Sequence, residues 1–394
     1  MMLATRLLPA VPLAALLLAG AAQADTRASL VASAEGGYGS NPFFDATASN
    51  NNTGTVILSA APNVQIVGPT SSLSLNGRLE QAFFTSRYSD ITNWSLGADT
   101  SIRMSPRTSF TAGASYSSTV NSGLTTGIDP LLPLNPTNPL LDPTVTENGG
   151  LRTKTLAGRA GVESQVSSRD TINIGATVYK VDYDGIGSSS YTSYSGSGGI
   201  SHAFSDRMSG GVTVTYAKTQ YDQAAFGSFR AFSPSATMSL KLAPRTTLNV
   251  SAGATFNTET RPVGPSVNNT FFTGNASLCH EGARSNMCLT GSRSVGATSS
   301  ADSSAITQVN FTYGYKLSPR SSVNLGAGYA QTKSTGLGAA YDFSYLSSSA
   351  TYEHQLKERL SLTVKARYTD PIKSAIGRRQ SFYGGVGLSY RFGR

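Results

Sequence analysis

Two cysteines and three histidines are the chain's whole stock of soft metal ligands and imidazole bases. Cys279 and Cys288 stand in the run Cys-His-Glu-Gly-Ala-Arg-Ser-Asn-Met-Cys. With His280 they offer three ligands, one short of the four that close a structural zinc site. In an exported chain two cysteines this close form a disulfide around a small surface loop, and that pairing is predicted here. His202 and His354 lie far apart in sequence, and no nucleophile elbow accompanies either. A Ser–His pair needs a third residue to orient its base, and none is marked. The sequence therefore predicts no catalytic residue, no metal site and no cofactor, and it reads as a protein that is not an enzyme.

Of the 394 residues only 13% are charged, while 40 are Gly, 18 Tyr and 16 Phe. A soluble domain carries about a quarter charged residues, and a disordered chain lacks so many aromatics. The N-terminus reads as an export signal. Arg6 supplies the positive start, Leu7 to Leu18 the apolar stretch, and Ala22-Gln23-Ala24 the small-x-small cleavage pattern. Cleavage is expected between Ala24 and Asp25, making 1–24 a signal peptide and 25–394 one domain. Beyond it no apolar run of about 18 residues occurs, which excludes transmembrane helices.

One seven-residue phrase organises the rest. Leu317-Ser-Pro-Arg-Ser-Ser-Val323, Leu242-Ala-Pro-Arg-Thr-Thr-Leu248 and Met104-Ser-Pro-Arg-Thr-Ser-Phe110 are close copies. Looser copies span 166–172, 204–210 and 356–362, and the one at 67–73 lacks the Arg. Each sets turn-forming residues between an apolar residue and a fresh alternating run, as a short hairpin connection requires. Leu248, Val250, Ala252, Ala254 and Phe256 share one face; Asn249, Ser251, Gly253, Thr255 and Asn257 share the other. Segments of about ten alternating residues divided by turns mark transmembrane β-strands. Tyr116, Tyr216, Phe256, Tyr329 and Tyr368 fall near the ends of such runs, where an interfacial girdle sits. A soluble sandwich also alternates, but it buries bulky residues against a second sheet over shorter strands.

The fold class predicted is all-β, a transmembrane antiparallel outer-membrane β-barrel of about 16 strands, with 14 to 18 compatible. An even count puts both termini on the periplasmic side. The long connections at 39–54, 120–150 and 259–303 then fall on the extracellular side. Proline at 130, 133, 136, 139 and 143 keeps the second of these from pairing as a central strand.

With the apolar face turned to lipid, the polar face encloses a water-filled tube. Arg78, Arg103, Arg159, Lys316, Lys365, Arg367 and Arg391 are expected to line it, with Glu35, Glu80, Asp99 and Glu163 as acidic counterparts. Such an excess of bases concentrates anions, and rings of Arg or Lys are how anion pores select. The competing reading makes these residues ion pairs that brace the wall. Tyr179, Tyr183, Tyr221 and Tyr383 are also placed inward, to stack on sugar faces or to belong to the girdle. The turn arginines, Arg107, Arg169, Arg207, Arg245, Arg320 and Arg359, are read as periplasmic, meeting lipid phosphates or capping turn carbonyls.

The run Ser33-Ala-Glu-Gly-Gly-Tyr-Gly-Ser-Asn-Pro-Phe-Phe44 resembles the opening of the putative β-barrel porin 2 family. Its members begin on a strand leading into a Gly-Tyr-x-x-Asn-Pro-Phe turn. The resemblance implies an outer-membrane barrel. Because such proteins often accompany genes for exopolysaccharide or capsule export, it also implies a channel component of exopolysaccharide secretion. The basic lumen would make that polymer acidic. A general or anion-selective diffusion porin for small solutes is the first alternative. A non-conducting surface adhesin or assembly scaffold, working through 120–150 and 259–303, is the second. Expected partners are outer-membrane lipid, the barrel-assembly machinery and, for export, polysaccharide and periplasmic export proteins, with no nucleic acid. The resemblance carries no catalytic residues.

Overall fold

The computed structural model describes residues 25–46, 51–123, 149–185, 189–223, 227–260, 265–297, 303–334, 342–374 and 377–393. The expected signal peptide and most of the proline-rich connection lie outside them. The described chain forms β1 (Asp25–Ser40), β2 (Asn52–Val67), β3 (Ser71–Phe84), β4 (Ile91–Ser105), β5 (Thr108–Val120) and β6 (Arg152–Gln165). There follow β7 (Asp170–Asp184), β8 (Tyr191–Ser205), β9 (Met208–Tyr221), β10 (Ser228–Ala243), β11 (Thr246–Thr260) and β12 (Val267–Glu281). The last six are β13 (Ser285–Ala297), β14 (Ser303–Ser318), β15 (Ser321–Ser334), β16 (Asp342–Lys357), β17 (Leu360–Lys373) and β18 (Ser381–Gly393). All belong to one 18-stranded sheet. β1 pairs antiparallel with β2 on one side and with β18 on the other, from Ser29↔Gly393 to Ser40↔Phe382. That pairing closes the barrel and leaves no sheet edge.

Alternation decides which face looks where. Leu96, Ile174 and Phe272 are 58%, 63% and 67% exposed on the outer wall, and rows of Leu, Val and Phe like them run around it. Contiguous apolar surface of this extent marks a membrane-facing wall. The opposite face of each strand carries Ser, Thr, Asn, Gly and the charged residues. A sandwich would place the apolar rows in a dry interior, so that architecture is excluded.

The recurring phrase does form the turns. The carbonyl of Arg107 accepts from the Gln165 amide, that of Arg320 from Gln355 and that of Arg359 from Arg391. Each turn is thereby tied to the strand after its own hairpin. The Ser two residues before the Arg caps the turn: Ser105, Ser205 and Ser318 Oγ each accept from the Arg amide at 3.2 Å.

Two expectations are corrected. The barrel has 18 strands rather than about 16, and 259–303 is not one long connection. It contains β12 and β13, joined by a short turn at Gly282–Arg284, where the Arg284 carbonyl accepts from the Lys316 amide at 2.7 Å like the other turn arginines. Glu281-Gly-Ala-Arg-Ser-Asn-Met287 is the repeated phrase with Gly in place of the Ser and Ala in place of the Pro. Its flanking cysteines mimic the ends of a closed surface loop, which is why the spacing misleads. The predicted disulfide Cys279–Cys288 is present, but it joins directly opposed residues of β12 and β13 near the short-turn rim.

The β12–β13 ladder runs only from Gly274↔Arg293 to Glu281↔Asn286, shorter than its neighbours. The disulfide reinforces this seam. Replacing both cysteines by Ser is expected to lower unfolding stability by about 2–3 kcal/mol, the loop-closure entropy of a segment this short. Urea titration with and without reductant measures it; an identical midpoint in both would show that the ladder alone holds the seam.

Candidate functional site: the lumen and its two infolds

The inner face is asymmetric. Near the middle of their strands, Glu35, Arg78, Glu80, Asp99, Arg159, Lys365 and Arg367 line one arc of the wall, from β17 through β18 and β1 to β6. From β7 to β16 the described inner face at this height carries no charge. Ser195, Ser197, Thr213, Thr215, Ser233, Ser235, Asn249 and Asn275 line it instead. Hydroxyl pairs cross that wall, Thr177 to Ser195 at 2.6 Å and Ser233 to Thr255 at 2.7 Å.

Within the arc the charges pair. Arg78 reaches Glu80 at 2.6 Å, Arg159 reaches Asp99 at 2.5 Å, and Lys365 reaches Glu35 at 2.7 Å. Glu35 also accepts from the Tyr383 hydroxyl at 2.7 Å. This last group spans β1, β17 and β18, so it stitches the seam at which the barrel closes. The Tyr383 ring lies across Gly37 and Gly385, where any Cβ would collide with it; glycine is needed there for close approach. Removing the hydroxyl alone, in Tyr383→Phe, is expected to cost about 1.5–3 kcal/mol, the contribution of a hydrogen bond to a charged acceptor. Equilibrium unfolding should show this loss; an unchanged midpoint would mean Lys365 satisfies Glu35 unaided.

The other predicted lining residues sit near the short-turn rim. Arg103 and Glu163 both face Ser109, one on each side. Lys316 and Arg391 line, with Arg320, Arg359, Glu353 and Glu358, a cleft of about 580 Å³. Alternation brings further charges to the inner face that the sequence reading passed over: Arg27 and Lys241, and Asp25, Glu259, Glu281 and Glu353. These six add two bases and four acids, so the expected excess of bases narrows.

Two segments turn into the tube at the end opposite the short turns. The first is the Asn41-Pro-Phe-Phe44 turn after β1. Asn41 holds it: its side chain donates to the carbonyls of Asp45 and Arg379 and accepts from the Asp45 amide at 2.7 Å. Asn41 and Phe44 take positive φ, 49° and 60°, a strained state for a bulky side chain such as Phe. Burial compensates, since Phe44 is 1% exposed and the Arg378 guanidinium contacts the carbonyls of Phe43 and Phe44. Phe43 packs with Ile57, Ala82, Ile91 and Tyr383, with Phe84 and Tyr88 against them. Burial and the nearby Asp45 carboxylate push the Tyr88 phenol up to about 12, so it remains a donor to Asp45. Asn41→Ala is expected to free this turn at a cost of about 1–3 kcal/mol for the buried groups left unpaired. Protease accessibility of the mouth would report it, and unchanged cleavage would count against a structural role.

The second infold is the β13–β14 hairpin. Above Gly274 and Arg293 the two neighbouring strands part: β12 continues beside β11 to Val267, and β13 beside β14 to Ala297↔Ser303. The freed end crosses into the lumen. Asn257, on the inner face of β11, donates from Nδ2 to Ser303 Oγ at 2.9 Å, and that hydroxyl lies 3.4 Å from Glu259. Ala297 packs among Val181, Tyr183, Tyr191 and Tyr221 from the inner faces of β7, β8 and β9. Tyr179, Tyr183 and Tyr221 do point inward as expected, yet they are packed around this hairpin, and Tyr383 is 2% exposed against Glu35. Tyr183, Tyr221 and Tyr383 are thus buried away from any sugar, while Tyr179 is half-buried against the cluster.

His202, His280 and His354 stay apart on the outer wall near the short turns, bonded to Asp170, Thr246 and Ser321 respectively.

A closed, lipid-facing barrel with a polar lumen narrowed by inward segments defines the class: a porin-like outer-membrane β-barrel. Residues 171–352, from β7 into β16, match the family model described as Putative beta-barrel porin 2. The family is the one that Ser33–Phe44 resembles, although the matched segment lies elsewhere in the chain. It points to a channel rather than an enzyme. Solved structures with a similar arrangement include OccAB4 of Acinetobacter baumannii, 10% identical, TM-score 0.45, covering 93% of this chain and 98% of that one. OccK5 (OpdH) of Pseudomonas aeruginosa is 12% identical, TM-score 0.48, covering 94% and 98%. The siderophore receptor PirA of Acinetobacter baumannii is 7% identical, TM-score 0.49, covering 93% and 80%. No curated protein matches the sequence.

Proposed function

We propose that this protein is a passive outer-membrane channel for small hydrophilic solutes, with the short-turn rim and both chain ends periplasmic. The observation that carries the reading is the inner face, where a charged arc opposes a wall of hydroxyls and amides beneath two inward segments. A barrel of this strand number leaves an aqueous path, and inward segments set the size of what passes. Planar-bilayer recording of the purified barrel is expected to show discrete conductance steps. Silent membranes containing folded protein would refute the channel and favour an adhesin or scaffold.

Secretion of an exopolysaccharide is the second reading. The hydroxyl-lined wall favours it, because an extended sugar chain could exchange hydrogen bonds along such a surface without a fixed site. A strain lacking the gene separates the two. Lost polymer in the medium supports export, whereas intact polymer with slowed solute uptake supports the diffusion channel.

A further inference from the structure

We propose that Lys218 and Arg230 form, on the lipid-facing wall, a binding site for the phosphate of a phosphorylated glycolipid headgroup in the outer leaflet. The site rests on the reading of this chain as an outer-membrane barrel whose short turns are periplasmic. Lys218 of β9 and Arg230 of β10 are direct cross-strand partners. Their faces are fixed by their neighbours two residues on, Tyr216 and Phe232, which are 49% and 45% exposed on the outer wall. Like charges set directly opposite across a sheet repel. No other ladder among the described residues opposes two cations.

The rest of the wall at this end solves the problem differently. Arg152 faces Asp184, Lys154 faces Asp182, and Lys333 faces Asp342. Lys154 and Lys373 each hold a carboxylate at 2.8 Å, and Lys180 lies between Asp182 and Asp222 at 3.3 and 3.6 Å. Among the described residues neither Lys218 nor Arg230 has a carboxylate within ion-pair distance, unlike Lys154, Lys180 and Lys373 of this rim.

The surroundings say what supplies the counter-charge. One row toward the short turns, Tyr216 and Phe232 are partners, and Phe232 stacks on Phe256 at 6.4 Å. Such rings mark the membrane interface. One row toward the long connections, Gln220, Ser228 and Thr260 stand side by side. The two cations thus sit between an aromatic girdle at the membrane interface and a polar row beyond it, at headgroup depth. Arg and Lys bind phosphate through charge-assisted hydrogen bonds, and the amide and hydroxyls above suit sugar hydroxyls. An anion there turns a repulsive pair into a bridged one.

Native mass spectrometry of the full barrel in nonionic detergent tests this, with bisphosphorylated lipid A as probe. Wild type is expected to retain lipid A, and Lys218→Gln/Arg230→Gln to bind it roughly ten-fold more weakly. Lys154→Gln/Lys180→Gln removes the same charge from cations that already have carboxylates and is expected to bind as wild type. Lys218→Glu supplies the missing partner within the chain, so it should abolish lipid A binding while raising the melting temperature in lipid-free detergent. Equal retention by wild type and the Lys218/Arg230 variant overturns the site, as does equal loss in both double variants. Phosphatidylglycerol held as tightly as lipid A overturns the glycolipid assignment. Because these side chains face away from the lumen, conductance of the variants should match wild type. A barrel that binds lipid A yet never conducts would sink the channel reading and leave this site standing.

Discussion

Joining Ser294 directly to Ile306 through an Asn-Gly turn is expected to raise single-channel conductance several-fold. The two residues are cross-strand partners, so a two-residue connection between them matches the geometry that such hairpins favour. The change removes Ala297 and Ser303, the residues by which the β13–β14 infold reaches the tyrosine cluster on one side and Asn257 on the other. Conductance follows the narrowest cross-section of the aqueous path, and a barrel of this size is otherwise wide enough for water. The lower ladder and the disulfide between β12 and β13 remain, so the wall itself should fold. Tyr191 and Tyr221 become exposed in the variant, which should appear as easier fluorescence quenching by water-soluble iodide. Unchanged conductance would move the constriction to the Asn41–Phe44 turn.

The second large effect concerns charge. Arg159→Gln/Arg367→Gln is expected to turn the weak anion preference expected of the wild type into cation preference. In wild type the central arc holds four bases, Arg78, Arg159, Lys365 and Arg367, against three acids, Glu35, Glu80 and Asp99. The variant reverses that balance at the height where ions pass between charged and neutral walls, and fields in a low-dielectric tube are focused there. Asp99 is 44% exposed at its side chain, so losing Arg159 leaves a hydrated carboxylate and little folding penalty. The reversal potential under a salt gradient measures the shift. It should change sign at low salt and fade as ionic strength rises and screening shortens. A reversal potential that stays put would mean that selectivity is set at the rims, where Arg103, Lys316, Lys241 and Arg391 meet Glu163, Glu281 and Glu353.

Wall and turns were legible in the sequence because each is a local matter. Alternation with period two assigns a side chain to lipid or lumen without reference to any other strand, and the Ser-Pro-Arg phrase needs only its own residues and the next strand's amide. The inward placement of Glu35, Arg78, Arg159 and Lys365 followed from that alone. The count failed at one hairpin, where Gly282 and Ala283 replace the usual Ser-Pro and two cysteines suggest a loop. What the sequence could not decide is what fills the tube. The β13–β14 strands alternate like any others, and nothing local marks where their upper ends leave β12. That departure depends on Ala297 finding Val181 and Tyr191, and Ser303 finding Asn257, on strands far away in the chain. Pairing of Arg78 with Glu80 and of Lys365 with Glu35, and the opposition of Lys218 to Arg230, likewise depend on register between strands. Register fixes distance, and distance decides whether two charges cancel, brace the wall or call for a third.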